Sequence, residues 1–413
     1  MIADRTARPL VWTPTPVIEW LILEAWRIES VPDLLRALAE RLVAEGVPLW
    51  RLYCVVPTLH PLYLGSAHRW TRGEAEMFRS YGEHGLRQRP AFTNNPLRLV
   101  MEDGYAAVRR RLARGEGRGE FPLLDELVEA GATDYICVPI EFSNGNRTGA
   151  SFTSDGPDGF SAANLKEFYD LVPVLARLIE RETLRSTAEN VLDTYVGHEA
   201  GRRILKGQII RGSGETLFAA IWYADLRNFT ALSEALPRDT LIALLNEYFD
   251  AIAMPVHEQG GQVLKFMGDA MLAVFPVVGR CGPAPDERAA SEACDRALKA
   301  ALDADARMAE LNRRREAGGA AALNYGIALH LGEVMYGNVG AANRLDFTVI
   351  GPAVNLTQRL EALCKTLAHR PLMSRRFAEA CPRPTESLGR FDLRGVSGPH
   401  EVFALAPPDP AAR

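Results

Sequence analysis

The sequence predicts an α+β protein of two domains joined by a long helix. Three observations carry that prediction. Apolar residues at helical spacing and apolar runs of strand length succeed one another in both halves. A rhythm of three- and four-residue apolar steps runs through residues 161–197. The chain has 413 residues, too many for one ordinary domain and enough for two.

The N-terminal half comes first. Val17, Trp20, Leu21, Leu23 and Trp26, then Leu34, Leu35, Leu38, Leu42 and Val43, predict helix over 17–46. Trp50 to Leu64 reads as a strand pair broken by Pro57 and Pro61. Residues 100–130 read as helix with a glycine-rich break at 115–119. Tyr135–Glu141 is a short apolar strand, Asn144-Gly145-Asn146 a turn, and Thr148–Thr153 the returning partner. This order resembles a GAF-like ligand-sensing domain over residues 1–160, an antiparallel sheet flanked by helices. A purely structural dimerisation domain is the alternative. A sensor implies a small-molecule or protein effector, whose identity is not legible. Trp20, Trp26, Trp50 and Trp70 are expected to pack in the core, with lining a pocket as the alternative.

Residues 161–214 read as a helical linker. Leu165, Phe168, Val172, Leu175 and Ile179 form a heptad-like seam, Ser161 is its N-cap, and Pro173 predicts a kink or a break. The seam suits a parallel dimer helix; a single helix packed on its own sensor is the other reading. Tyr195–Gly214, with several glycines, suits a short transmission element.

Residues 215–407 carry the chemistry, and 408–413 are a tail. Leu217–Tyr223 is a continuous apolar run, as in a strand buried on both faces, and it ends at Asp225. An amphipathic helical region covers 231–258 and stops at Gly260-Gly261. Gln262–Phe266 and Ala270–Phe275 predict two strands across a turn at Met267-Gly268-Asp269. Asp225 and Asp269 therefore stand at a strand end and a hairpin tip. Hard divalent cations prefer such carboxylates and leave positions free for phosphate oxygens. Each aspartate alone is an ordinary turn residue; the pair suits chemistry on a metal–nucleotide complex.

Downstream follow Asn324–Val334, Gly337-Asn338-Val339-Gly340, Arg344–Gly351 and Val354–Glu361. With these motifs in this order the chain resembles the class III adenylate/guanylate cyclase family over about 215–407. The resemblance implies a ferredoxin-like βαββαβ domain acting as a head-to-tail homodimer on ATP with two Mg²⁺ or Mn²⁺ ions per site. By that likeness Asp225, Asp269 and the Leu226 carbonyl hold metal. Lys265 and Thr348 read adenine, Asn355 orients the ribose, Arg359 stabilises the transition state and Arg394 binds phosphate. Asn355 and Arg359 are four apart on one helix face. Three positions depart from the usual pattern. Asn228 replaces a glycine, which asparagine's tolerance of left-handed angles permits. Thr348 replaces an aspartate, and Arg394 replaces a lysine with a planar fork. The reading is a sensor-regulated adenylate cyclase; a guanylate cyclase and a degenerate signalling module are the alternatives.

Composition bounds the rest. A 47% hydrophobic and 24% charged balance lets each half bury a core, and a net charge of −5 disfavours a nucleic-acid partner. Arg109–Arg111 and Arg313–Arg315 read as solvated helix faces. No apolar run approaches the roughly 20 residues of a membrane span. Met1–Pro16 has no signal-peptide core, so a cytoplasmic protein is expected. Six cysteines without a Cys-x-x-Cys pair suit a reducing compartment; Cys281 and Cys381 are placed in loops.

Overall fold

The computed structural model describes residues 14–60, 63–277 and 286–407. The readings made for the first 13 residues, Pro61, Cys281 and the tail 408–413 lie outside them. The chain divides into two compact units, Met1–Val191 and Leu192–Arg413, so the boundary falls inside the segment read as a linker.

In the first unit β1 (Leu49–Pro57), β2 (Tyr63–Thr71), β3 (Phe78–Glu83), β4 (Val108–Arg110), β5 (Asp134–Glu141) and β6 (Arg147–Ser154) form one antiparallel sheet, ordered β3-β2-β1-β6-β5-β4. The β5–β6 hairpin turns where expected: Gly145 has φ +81° and the Asn146 amide donates to Asn144 Oδ1 at 2.9 Å. The predicted helix 17–46 is two helices, Pro16–Leu23 and Val31–Ala44. Each starts on a hydroxyl cap, Thr15 and Ser30, followed by proline in the first turn.

The expected helix 100–130 is mostly absent. Pro96–Met101 and Pro122–Glu129 are short helices with β4 between them. Arg109 explains the change. Its guanidinium donates to both oxygens of buried Asp134, at 3.2 and 2.6 Å, and to the Phe160 carbonyl at 2.8 Å. Pairing with β5 thus overrides helix propensity, and Arg109–Arg111 is not a solvated helix face.

The helix Ala162–Tyr195 runs on through Pro173 without the expected break. Proline removes only the bond to the Tyr169 carbonyl, and Tyr169 is exposed to water. Its seam is also corrected. Phe168, Val172, Leu175 and Ile179 are buried in this unit's own core, with Phe168 stacked on Phe152 at 4.2 Å. Those residues are spent on the sheet and cannot also line a partner helix. The later part of the helix mixes half-buried and exposed positions, with Leu184 and Tyr195 among the exposed.

The second unit holds β7 (Gly214–Leu226), β8 (Gln262–Met267), β9 (Ala270–Pro276), β10 (Tyr325–Ala341), β11 (Arg344–Ile350), β12 (Leu372–Ser374), β13 (Thr385–Asp392) and β14 (Pro399–Leu405). Their order is β13-β14-β12-β10-β7-β9-β8, with β11 paired to β10. The four core strands stand as β10-β7-β9-β8 and enclose the helices Arg238–Glu258 and Glu287–Ala317 in sequence, which is the expected ferredoxin-like βαββαβ. The helical region after β7 breaks at Pro237 into Phe229–Ala235 and Arg238–Glu258.

Strand β7 is central and both its faces are covered. Ala220, Trp222 and Ala224 pack under the two long helices, while Ala219, Ile221 and Tyr223 pack with Ala200, Val349 and Ala353. That is why its sequence is a continuous apolar run. Burying one large apolar side chain contributes roughly 1.5–3 kcal/mol, so this strand is a rigid platform for what stands at its end. No helix among the described residues is long and apolar enough to cross a membrane.

Candidate active site

Asp225 lies one residue before the end of β7, opposite Ala270 of β9 and Gly326 of β10. Asp269 immediately precedes Ala270 in the β8–β9 turn, where Gly268 has φ +67°. The register therefore delivers two carboxylates to one point, close enough for each to feel the other's charge. Asp225 is pushed up to about 6, first by burial, then by the charge of Asp269; Arg227 and the Leu226 amide pull the other way. The chain turns away through Asn228, which adopts the left-handed conformation at φ 61° and precedes the helix Phe229–Ala235.

Beneath this pair lies a support that sequence reading missed. Glu361 is 2% exposed, and its Oε1 lies 2.5 Å from Arg227 Nη2, which also donates to the Glu361 carbonyl at 2.9 Å. Burial raises the Glu361 carboxyl to about 7; Arg227 opposes that rise, and Asp225 and Asp269 add to it. Tyr248, fully buried, is pushed up by burial and by the same two aspartates. Gly326 makes room for the pair: a Cβ there would meet Glu361 Oε1 at 2.0 Å and Arg227 Nη2 at 2.5 Å. Arg227 and Glu361 both sit inside recognised motifs, but only the fold makes them partners.

Lys265 projects from β8, and its Nζ lies 2.5 Å from Asp346 Oδ2 on β11. The hydrogen bond from Lys265 holds the Asp346 carboxyl below its usual range, against a smaller effect of burial. Thr348, half-buried, is two residues along β11 and shares the Asp346 face, since Phe347 and Val349 are the buried residues of that strand. The structure thus places Lys265 on the expected strand and gives it Asp346, a residue not singled out in the sequence reading, as its ionic partner.

Asn355 and Arg359 lie on the helix Pro352–Ala362, which buries Ala353, Thr357, Leu360 and Glu361. Both are exposed, and neither side chain has a hydrogen-bond or ionic partner among the described residues. Arg394 is exposed in the turn between β13 and β14, at the sheet edge opposite β8. Within one chain it stands apart from the aspartate pair. His330 is buried, and its Nδ1 is hydrogen-bonded with Ser374 Oγ at 2.7 Å.

The donor set fits a hard divalent cation. Two converging carboxylates with the neighbouring Leu226 carbonyl leave the remaining positions to phosphate and water. Among the described residues no group of three His, Cys, Asp or Glu side chains is placed to hold a metal ion by itself.

Residues 215–374 match the model of the adenylate and guanylate cyclase catalytic domain. Adenylate cyclase 1 of Rhizobium meliloti (strain 1021) is 27% identical over 238 residues, 57% of this chain and 32% of that protein. The adenylate cyclase of Anabaena cylindrica is 32% identical over 158 residues, 37% of this chain and 29% of that protein. The chain thus spans about a third of the length of these relatives. The crystal structure of the adenylyl cyclase CyaB from P. aeruginosa is 25% identical, covering 48% of this chain and 98% of that one with a TM-score of 0.42. Residues 215–374 thus form a domain of the adenylate and guanylate cyclase catalytic family.

Proposed function

We propose that the protein converts ATP to 3′,5′-cyclic AMP and pyrophosphate in a head-to-tail homodimer, in the cytoplasm, under control of the first unit. The observation that carries this reading is the meeting of Asp225 and Asp269 at the end of β7. These two carboxylates and the Leu226 carbonyl would hold two divalent ions, Mg²⁺ or Mn²⁺. When bound, the ions supply positive charge that makes the ribose 3′-hydroxyl a better nucleophile and neutralises the triphosphate.

The 3′-oxygen attacks the α-phosphorus, and the bond to the β-phosphate oxygen breaks. Arg359, exposed and without an ionic partner among the described residues, stabilises the charge that develops on the α-phosphoryl oxygens of the partner's site. Asn355, one helical turn away, orients the ribose. Arg394 contacts the phosphate chain. Lys265 donates to the adenine ring, and its ion pair with Asp346 fixes the ammonium. Thr348 accepts from the exocyclic amine. A guanine-reading site would favour an acidic residue at position 265, so ATP is the substrate.

The first unit acts as a GAF-like sensor. Its antiparallel sheet supports that reading, and its last helix extends to Tyr195, beyond the unit boundary. A shift in the population of closed dimers would carry the signal.

The test is product formation by the purified chain with ATP or GTP and Mg²⁺ or Mn²⁺. Cyclic AMP that disappears in Asp225→Asn supports the assignment. A higher kcat/KM for GTP would make it a guanylate cyclase, and no product from either nucleotide would leave a signalling module without catalysis.

A further inference from the structure

The first unit contains a cavity of about 490 Å³ between β1–β3 and the helix Ala162–Tyr195. That volume lies within the roughly 300–1,000 Å³ range of small-molecule sites. Its lining mixes apolar and polar groups, and several of the polar ones are left unsatisfied. His68 on β2 is 2% exposed; its Nε2 pairs with Ser66 Oγ at 2.8 Å, and its buried Nδ1 has no partner. From the helix come the buried Glu182 Oε2 and Thr183 Oγ1, both without a hydrogen bond. Buried polar atoms are normally paired, because leaving one unpaired costs about 1–3 kcal/mol.

The charges are arranged in the same way. Arg79 on β3 lines the cavity and has no carboxylate partner among the described residues; its guanidinium lies 5.1 Å from the Tyr81 ring centre. The nearest cation to Glu182 is Arg181, 3.8 Å away, and Arg181 donates instead to the Trp26 and Ile28 carbonyls. Tyr63 and Tyr81, 5.0 Å apart, supply an aromatic wall. Burial and the charge of Arg79 push His68 down to about 4, so near pH 7 it is a neutral hydrogen-bonding group.

We propose that this cavity binds a small zwitterion of the α-amino-acid class, with its carboxylate on Arg79 and its ammonium on Glu182. His68 and Thr183 complete the hydrogen bonding, and the tyrosines contact the side chain. A phosphate dianion would meet the Glu182 carboxylate, and a simple amine would leave Arg79 unpaired. None of the four tryptophans considered as pocket residues lines this cavity. The proposal deepens the sensor reading above and rests on it for its biological meaning.

The experiment is calorimetric titration and thermal shift of the full chain with each proteinogenic α-amino acid in turn. The matching decarboxylated amine and α-hydroxy acid serve as controls. At least one amino acid should bind, with both its controls weaker by about tenfold or more. Arg79→Gln and Glu182→Gln should each remove binding while keeping the circular dichroism of the parent, and Arg79→Lys should restore part of it. The proposal falls if no amino acid binds, if a control binds as well as its parent, or if binding survives both substitutions. No readout uses cyclase activity, so failure of this site and failure of the catalytic reading are separate results.

Discussion

Two residues of the catalytic unit show how close contact and chemistry divide the work. Arg359 is exposed and has no hydrogen-bond or ionic partner among the described residues, so its removal should leave the fold intact. Arg359→Ala is expected to lower kcat about a hundredfold or more with little change in Tm, as loss of a preorganised donor does. Near-parental turnover would refute the role. Gly326 is the reverse case. It makes no contact with substrate in the mechanism proposed, yet its missing Cβ accommodates the Arg227–Glu361 pair. Gly326→Ala should destabilise the second unit by about 1–3 kcal/mol, read from urea unfolding, because neither buried partner can withdraw without leaving a charge unpaired. An unchanged midpoint would show that the pair has room to move.

At the scale of elements, β10 carries a titration that the fold makes costly. His330 is held at about 4, first by burial and then by the charges of Arg376 and His400, whereas it would titrate near 6.5 when unfolded. The unfolded chain therefore binds the extra proton first as pH falls. The stability this histidine contributes is complete above about pH 6.5 and is lost as pH drops through that value toward 4. The full swing is about 3 kcal/mol. His330→Gln should flatten the dependence of urea stability between pH 7.5 and 4.5; an equally steep acid limb in the variant would place the cause elsewhere. Among the elements read from sequence, those with local causes stand where expected: the β5–β6 turn, the hairpin at Gly268, and the apolar strand ending at Asp225. The misread ones depended on distant partners. The 100–130 segment became β4 because Arg109 answers Asp134, 25 positions later. The seam of the helix Ala162–Tyr195 faces its own sheet because Phe152 and Phe160 are there to receive Phe168. A heptad-like spacing states that a stripe is buried, and is silent on what buries it.

For the molecule as a whole, the proposal requires that one active site be built from two chains. Asp225→Asn and Arg359→Ala proteins should each be inactive alone. Coexpressed, they should recover roughly a quarter of the parental activity, since half the dimers are mixed and each mixed dimer holds one intact site. No recovery, with mixed dimers demonstrated by tagged pull-down, would argue that each site lies within one chain.

Motif order in the sequence, through its resemblance to a known family, was sufficient for the family of residues 215–374 and the ferredoxin-like core, and local pattern was sufficient to set Asp225 at a strand end and Asn355 and Arg359 on one helix. Tertiary structure alone decided that Lys265 pairs with Asp346, that Glu361 and Arg227 lie under the aspartates, and that His68, Arg79 and Glu182 share a cavity. The reason is range. Turns, caps and periodicity act over a few neighbouring residues, whereas burial and charge pairing join residues 81, 134 and 114 positions apart, and only the packed chain brings those together.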